Sequence, residues 1–329
     1  MELGLSSPLS VLCASDCKAE LWLKNDGLVH PSYGGNKARK AALLLAEAER
    51  RRAQRILTFG AAGSHHVLAT TLFARERGLQ TAALLTRQPS SAHARRVLRR
   101  SLAAGLEARA ASSLLSLAWQ LWRERRAEDY VVPPGGSNLL GAAAYAAAIA
   151  ELEQQLEAQH IAPPDWIVVP LGSGGTAAGL LAGLGCSRLP TRLLAVQVVN
   201  NPLARIWVTK LAADVLRSRA RTPSDPRWST RLVLDASQLG RGYGYSTSAG
   251  IAASAEAASL GLTLDPTYTA KAFAAALELA RGQHSRDSSP QRVLYWHTLS
   301  AVPEPSEAPL PELPRNLERL FVETDQKPA

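Results

Sequence analysis

The sequence predicts an α/β fold in which mostly parallel sheets carry helices on their faces. Short apolar runs alternate with helical patterns along most of the chain, as in a strand at 55–59 followed by a helix at 64–77. One run, at 166–170, is apolar at every position, which is typical of a strand buried on both faces of a parallel sheet. Gly78 and Gly105 mark the ends of two predicted helices.

The same patterns assign the other elements in order. In the first half they predict strands at 19–24, 55–59, 80–86 and 129–132, and helices at 37–53, 64–77, 91–104 and 112–127. In the second half they predict strands at 166–170, 193–199, 231–234 and 293–296, and helices at 139–159, 177–184, 203–219, 249–260 and 267–281. We expect surface loops at 221–230 and 282–290, and a loosely packed tail, rich in Pro and Glu, from Pro303.

The composition bounds the size of the core and the class of partner. The 329 residues suggest two domains, and 46% of them are hydrophobic, which allows a large core of closely packed, Ala-rich helices. The net charge of +9 comes mainly from arginine, because only seven of the 37 basic residues are lysines. The arginines form scattered pairs such as Arg95-Arg96, without interleaved aromatic residues, so we expect solvated helix faces and no nucleic-acid partner.

Cysteine usage and hydropathy indicate a location. The three cysteines, Cys13, Cys17 and Cys186, favour a reducing compartment over a disulfide framework. No apolar segment approaches the length of a membrane span, and the N-terminus has neither the basic region nor the apolar core of a signal peptide. We therefore expect a cytoplasmic protein without a membrane partner. Cys13 and Cys17 lack the partners of a zinc site, and we expect no metal.

A lysine after two glycines is the centre of the first candidate site. Asn36 is predicted to cap a long helix, which places Lys37 in its first turn, two residues after the pair Gly34-Gly35. The positive end of the helix dipole disfavours an ammonium there, and the glycines allow a ligand to approach the backbone. Such a lysine has a lowered pKa and suits Schiff-base chemistry. From this stretch alone, an ordinary solvent-facing lysine remains the alternative.

A second candidate site is a glycine-rich turn between the buried strand at 166–170 and a helix. The turn reads Gly172-Ser173-Gly174-Gly175-Thr176. Free N–H groups at a helix start, with few side chains in the way, bind phosphate. It is neither a P-loop nor a full dinucleotide fingerprint, because the lysine, the third glycine and the following acidic residue are missing. A cup for a smaller phosphate ligand therefore fits better, with a purely structural turn as the alternative.

Ser64, His65 and His66 open another predicted helix after a strand. The hydroxyl and the N–H groups there could hold an anion such as a carboxylate. Adjacent histidines point to different faces of a helix, and no partner follows at the i+4 spacing, so a joint metal site is not expected. A core or capping role for one histidine remains the alternative.

Two tyrosines complete the candidate residues. Tyr243 lies in a glycine-flanked loop, and Tyr268 follows Asp265-Pro266 at a helix start. For each one singly, a buried tyrosine with a satisfied hydroxyl is the alternative to a site residue.

Taken in order, these stretches resemble the fold-type-II, tryptophan-synthase-β-like pyridoxal-phosphate enzymes, and within them the branch of D-cysteine desulfhydrase and 1-aminocyclopropane-1-carboxylate deaminase. The similarity runs from about Leu21 to Ala301. It is carried by Tyr33-Gly34-Gly35-Asn36-Lys37-Ala38-Arg39-Lys40, Gly135-Gly136-Ser137-Asn138, Gly172-Ser173-Gly174-Gly175-Thr176, Asp265-Pro266-Thr267-Tyr268-Thr269-Ala270-Lys271 and His297-Thr298.

The resemblance implies a role for each candidate residue. Lys37 would bind pyridoxal phosphate covalently and later move the α-proton, with Asn36 beside it. The backbone from Gly172 to Thr176 would hold the cofactor phosphate, and Thr298 would face the ring nitrogen. The substrate carboxylate would bind to Ser64 and its neighbours His65 and His66, His65 standing where the family has an asparagine that meets the cofactor. Tyr243 and Tyr268 would tune proton transfer near the substrate.

The resemblance also implies an architecture of two α/β domains with the cofactor in the cleft between them. The large domain would combine 1–37 with 146–329, the small domain would span 38–145, and the protein would be a homodimer.

Departures from the family pattern bear on the substrate. Thr269 and Thr298 are both desulfhydrase-like. The cyclopropane deaminases have a glutamate where this chain has Thr269. Gly63, the pair His65-His66 and the pair Leu299-Ser300 depart from both groups. The implied reaction is β-elimination from a small amino acid, giving ammonia and a 2-oxo acid. A 1-aminocyclopropane-1-carboxylate deaminase, a racemase and a cofactor-binding protein without lyase turnover remain the alternatives.

Overall fold

The computed structural model describes residues 5–111, 114–283, 291–303 and 309–323, with the side chains of 114–116 and 118 left aside. The described strands are β1 Leu9–Leu12, β2 Glu20–Asn25, β3 Arg55–Ala61, β4 Gln80–Thr86, β5 Gln88–Pro89, β6 Glu107–Ala110, β7 Asp129–Val132, β8 Trp166–Leu171, β9 Arg192–Gln197, β10 Leu232–Asp235, β11 Arg292–His297 and β12 Phe321–Val322. The described helices are α1 Asn36–Arg50, α2 His65–Glu76, α3 Ala92–Ala103, α4 Leu114–Glu124, α5 Leu139–Ala158, α6 Gly175–Cys186, α7 Ala204–Ser218, α8 Ser248–Ser259, α9 Thr269–Ala280 and α10 Arg315–Glu318.

The predicted α/β class is confirmed, since parallel sheets carry helices on their faces. The described residues form two compact units: 5–40 with 137–283 and 291–302, and 41–111 with 114–136, 303 and 309–323. The sequence instead assigns the whole of 146–329 to one domain. None of the helices in the described ranges is long and apolar enough to cross a bilayer.

The first unit contains a six-stranded sheet in the order β1-β2-β11-β8-β9-β10. Only the edge pair of β1 with β2 is antiparallel; the other neighbours pair in parallel. β8 is buried at all six positions, as its uninterrupted apolar sequence predicts. Because the carboxyl ends of parallel strands meet at one edge, the segments that follow β2, β8 and β11 come together there.

Close helix packing in the first unit depends on small residues. The Ala-rich helix α5 packs against α6 so closely that a Cβ at Gly179 would lie 2.1 Å from the carbonyl oxygen of Ala142. A Cβ at Gly183 would likewise lie 2.7 Å from Cβ of Ile149. Small residues therefore allow the close helix packing that the Ala-rich composition predicts.

The second unit contains a four-stranded parallel sheet in the order β6-β4-β3-β7. Arg55 on β3 is almost fully buried and binds both carboxylate oxygens of Asp129 on β7, at 2.7 and 2.8 Å. β5 and β12 form a separate parallel pair in the same unit.

The prediction of a loosely packed tail is wrong for the segment from Leu317 to Phe321. Leu317, Leu320 and Phe321 are buried in a hydrophobic cluster with Leu98 and Leu106 of the same unit. The tail is rich in Pro and Glu overall, but these three apolar residues pack into a core formed by distant parts of the chain. The sequence also does not predict the strands β1, β5, β6 and β12. Of these, β5 and β12 have only two residues each, which is too brief to show an alternating pattern.

Most other predicted elements are present with shifted ends. α1 ends at Arg50 rather than 53, and α6 begins at Gly175 rather than 177. A 3₁₀ turn, Trp228–Arg231, ends the predicted loop at 221–230. In the predicted loop at 282–290, residues 284–290 lie outside the described chain.

Candidate active site

Lys37 lies in the first turn of α1, as the sequence predicts, and it is partly buried. Gly35, just before the helix, has φ +83°, and a Cβ there would lie 2.6 Å from the carbonyl oxygen of Thr298. Only glycine fits this close approach. The Asn36 N–H donates to the same Thr298 carbonyl oxygen at 3.1 Å. The end of β11 therefore fixes the backbone on which Lys37 stands.

Burial changes the acid–base behaviour of Lys37. It lowers the pKa of the ammonium to about 8, and the Asp265 carboxylate opposes this shift only in part. The side chain donates from Nζ to Oδ1 of Asn36 at 2.6 Å. An amine with this pKa is far more often neutral near pH 7 than an ordinary lysine, as a nucleophile or a proton acceptor requires.

Asn36 is the first residue of α1, so the prediction that its side chain caps the helix is wrong. Its Oδ1 accepts from Lys37 instead, and its Nδ2 donates to Oγ1 of Thr176 at 3.0 Å. Thr176 lies in the first turn of α6 and is buried. One asparagine side chain therefore joins the lysine to the glycine-rich turn.

The glycine-rich turn follows β8 and leads into α6, with Gly174 at the N-cap position. Oγ of Ser137 accepts from the N–H of Gly175 at 3.1 Å and lies 2.8 Å from Oγ of Ser173. A Cβ at Gly175 would lie 2.5 Å from that Ser137 oxygen. The first N–H groups of a helix have no acceptor within it, and the helix dipole adds positive potential. The turn thus has the geometry expected of a cradle for a phosphate, and this role stays a prediction.

Trp207 closes the other side of this turn. Its indole Nε1 donates to the carbonyl oxygen of Ser173 at 3.1 Å, and a Cβ at Gly174 would lie 3.0 Å from its Cδ1. Because a trans peptide points its carbonyl and its N–H in opposite directions, this bond also sets the direction of the Gly174 N–H. Sequence reasoning missed Trp207, which lies in no motif. It gave no role to Ser137 either, although the Gly-Gly-Ser-Asn motif contains it.

Tyr243 and Tyr268 lie together, with ring centroids 5.7 Å apart and ring planes at 79°. Their hydroxyls share a hydrogen bond, and burial raises the pKa of both phenols, that of Tyr268 well above its usual value. A Cβ at Gly172 would lie 2.9 Å from Cε1 of Tyr268. Tyr268 therefore lies over the first glycine of the turn with Tyr243 packed against it, and both hydroxyls are neutral near pH 7.

Asp265 fixes the turn that carries Tyr268. Its carboxylate accepts the backbone N–H groups of Thr267, Tyr268 and Thr269, at 3.0, 2.7 and 3.1 Å. The hydroxyl of Thr269 also donates to this carboxylate at 2.7 Å. Thr269, which distinguishes this chain from the cyclopropane deaminases, thus stabilises the turn in which it lies.

The end of β11 provides His297 and Thr298, which are both buried. Burial lowers the pKa of His297 to about 4, so its imidazole is neutral at pH 7. Its Nδ1 lies 3.4 Å from the hydroxyl of Tyr295. The contact of Thr298 with the start of α1 places this predicted ring-facing residue next to Lys37.

Ser64, His65 and His66 belong to the second unit, at the start of α2. Nε2 of His65 lies 2.8 Å from Nε2 of His93. His66 is buried, with its Nε2 3.0 Å from Oγ1 of Thr58. Their role toward the substrate stays a prediction. Across the described ranges, no three His, Cys, Asp or Glu side chains are grouped as a metal site.

A buried group of charges in the first unit was not predicted. Asp26 is fully buried, and its carboxylate accepts from Arg39 Nε at 3.0 Å, from Trp296 Nε1 at 2.8 Å and from the Tyr145 hydroxyl. Arg39 also donates from NH1 to Glu151 Oε2 at 2.7 Å. The carbonyl oxygen of Asp26 accepts the Gly35 N–H. Asp26 therefore holds the chain on both sides of Lys37.

Lys40, one turn after Lys37, is a further buried lysine that received no role from the sequence. Burial, reinforced by the nearby Lys37, lowers its pKa well below the usual value. The lysine motif contains it, but sequence alone does not show that its ammonium turns inward.

Comparison with known proteins agrees with this geometry. Residues 7–298 match the family model described as pyridoxal-phosphate dependent enzyme. The chain is 31% identical over 296 residues to a putative 1-aminocyclopropane-1-carboxylate deaminase of Pyrococcus horikoshii, covering 85% of this chain and 84% of that protein. It is also 31% identical over 315 residues to the D-cysteine desulfhydrase of Klebsiella pneumoniae, covering 90% and 92%. A crystal structure of an ACC deaminase homologue superposes with a TM-score of 0.77 at 27% identity, covering 91% of both chains.

Proposed function

The chain belongs to the family of pyridoxal-phosphate dependent enzymes, and on this basis we propose that it is a lyase that removes a β-substituent from a small amino acid. With D-cysteine, one water is consumed, and hydrogen sulfide, ammonia and pyruvate are released. The observation that carries the proposal is a pair of hydrogen bonds. They join Lys37, whose pKa is about 8, through the Asn36 side chain to Thr176 of the proposed phosphate cradle.

The residues of the first unit fit the cofactor. The N-terminus of α6, where Ser137 and Trp207 enclose two glycines, suits the phosphate. The partly buried amine of Lys37 suits the cofactor's carbonyl carbon. When bound, pyridoxal phosphate supplies an electron sink for negative charge at the substrate's α-carbon. Thr298 is proposed to face the ring nitrogen, where a hydroxyl gives a milder sink than a carboxylate.

Each remaining side chain has a proposed task. Lys37, neutral above about pH 8, accepts the α-proton. Tyr243 and Tyr268 have raised pKa values, so they act as hydrogen-bond donors rather than as phenolates. Ser64, with His65, is proposed to bind the substrate carboxylate, which predicts a higher KM and a smaller change in kcat for Ser64→Ala.

The cofactor itself is tested first, by the visible spectrum of the purified protein. We expect a yellow band that borohydride bleaches in the wild type and that Lys37→Ala lacks. The Lys210→Ala variant is the control, because Lys210 is exposed on α7 and pairs with Asp214. A wild type that stays colourless with added pyridoxal phosphate would contradict the whole proposal.

The reaction is tested with a panel of amino acids: D-cysteine, L-cysteine, β-chloro-D-alanine and 1-aminocyclopropane-1-carboxylate. Pyruvate from a β-substituted amino acid supports the proposal. The second candidate function, deamination of the cyclopropane substrate, has support in the names of two relatives and yields 2-oxobutyrate. Thr269 in place of a carboxylate argues against it. A coloured protein that forms neither acid would refute the lyase, and loss of optical rotation without loss of amino acid would indicate a racemase.

We further propose a fold-type-II homodimer located in the cytoplasm, with residues 1–37 and 146–302 as the cofactor-binding domain and 38–145, together with the segment 309–323, as the small domain. These assignments rest on the family resemblance. Light scattering of the purified protein tests the dimer, because a dimer has twice the 35.2 kDa mass of the chain.

A further inference from the structure

One of the buried lysines of the first unit, Lys271, has no part in the chemistry proposed above. Lys271 lies on α9, and its side chain is completely buried. Its ammonium donates to the carbonyl oxygens of Leu239 at 2.9 Å and Gly242 at 3.1 Å. Burial lowers its pKa to about 8, with Asp265 opposing, so the group is mainly charged at neutral pH. Its two bonds are therefore charge-assisted, which makes them stronger than neutral ones.

The carbonyls that Lys271 binds belong to the glycine-rich segment 239–245. Gly240, Gly242 and Gly244 all have positive φ, at +53°, +103° and +83°. Glycines in such a run lose much backbone entropy when they are held in one conformation. Two local turn bonds lie within the segment: the Gly242 N–H donates to the Leu239 carbonyl oxygen at 3.0 Å, and the Tyr245 N–H donates to the Gly242 carbonyl oxygen at only 3.4 Å. A bond of that length restrains the segment weakly.

The same segment carries Tyr243, the residue directly after Gly242. Its ring packs against Tyr268, and Tyr268 precedes the first residue of α9. One helix therefore restrains both tyrosines: the Asp265 turn at its start fixes Tyr268, and Lys271 in its first turn fixes the backbone beside Tyr243. A lysine that merely filled space there would bury an ammonium at considerable cost. The paired carbonyls offset that cost.

We propose that Lys271 is a positioning residue for Tyr243: its ammonium holds the segment 239–245, so that the two tyrosines keep their mutual orientation. The inference rests on the proposed function in one respect, that Tyr243 acts on the substrate. The restraint of the segment does not depend on the reaction, and it can be measured separately.

The restraint is tested by trypsin cleavage of the full-length protein loaded with pyridoxal phosphate. Arg241 is exposed in the segment, and cleavage after it releases a fragment of residues 242–329 that mass spectrometry identifies. Lys271→Met should raise this cleavage rate by about tenfold or more, because two charge-assisted bonds are lost. Lys271→Arg should stay near the wild-type rate, since its guanidinium keeps a charged donor. The exposed-site control Lys210→Met should not differ from wild type.

The action through Tyr243 is tested by a double-mutant cycle on kcat. Lys271→Met should lower kcat about tenfold in the wild-type background but less than twofold in a Tyr243→Phe background, because the disturbed residue is then already impaired. Equal losses of kcat in both backgrounds would show that Lys271 does not act through Tyr243. That result is the one expected if Lys271 only stabilises the fold.

The outcomes separate this proposal from the proposed function. An unchanged rate of cleavage after Arg241 in Lys271→Met overturns the restraint, whatever the enzyme's activity. A wild type without turnover refutes the lyase, and the cleavage comparison still decides the restraint. If Lys271→Met does not fold, Lys271→Gln replaces it, because its shorter neutral amide cannot bind both carbonyls with charge. Circular dichroism of each variant establishes folding before the comparison.

Discussion

Replacing Asp26 by asparagine should destabilise the protein by about 3 kcal/mol, although the two side chains have nearly the same shape. The carboxylate is fully buried and accepts from Arg39, Trp296 and Tyr145. Breaking a buried ion pair on one side costs about 3–5 kcal/mol, because it leaves the other charge buried. Asparagine keeps one acceptor oxygen, and Glu151 still pairs with Arg39, so the lower end of that range applies.

Urea unfolding followed by tryptophan fluorescence measures this difference, since the indole of Trp296 contacts the mutated group. Asp214→Asn is the matched control. Asp214 is a more exposed aspartate on α7 that pairs with Lys210 and Arg217, and its loss should cost less than about 1 kcal/mol. If Asp26→Asn were as stable as this control, the argument that the buried charges hold the lysine segment would be refuted.

Three further predictions concern the cradle, the lysine and the tail. Trp207→Phe should weaken pyridoxal-phosphate binding about three- to tenfold in an absorbance titration, because the bond to the Ser173 carbonyl is lost. The rate at which the cofactor-free protein takes up pyridoxal phosphate should rise with pH up to about 8 and then level off, because the neutral amine of Lys37 is the nucleophile. Phe321→Ala should cost about 3 kcal/mol in urea unfolding, because a buried ring is removed from the core.

Each of these has a result that would contradict it. Trp122→Phe changes an indole that is 78% exposed, so equal effects of the two tryptophan variants would argue against the cradle. An uptake rate that still rises steeply between pH 9 and 10 would mean that Lys37 titrates as an ordinary lysine. Val322→Ala, at a position that is 46% exposed, should be nearly neutral, and a similarly neutral Phe321→Ala would indicate a loosely packed tail.

The sequence by itself determines the class of the fold, and it predicts which residues bind the cofactor. Strands β4 and β7 begin and end where the apolar pattern places them, because strand and helix periodicity depends on residues that are neighbours in sequence. The lysine and glycine motifs are equally local. They need particular residue types at fixed spacing, such as glycine at 35, where the backbone approaches Thr298.

Only the tertiary structure decides which distant side chains meet. Asp26 contacts Trp296, 270 residues away, and Lys271 reaches Leu239 across 32 residues. No local pattern encodes such pairs, because they depend on the strand order, which brings the ends of β2, β8 and β11 to one edge of the sheet. For the same reason the sequence predicts a polar, loosely packed tail, whereas three of its apolar residues are buried against a core formed by another part of the chain.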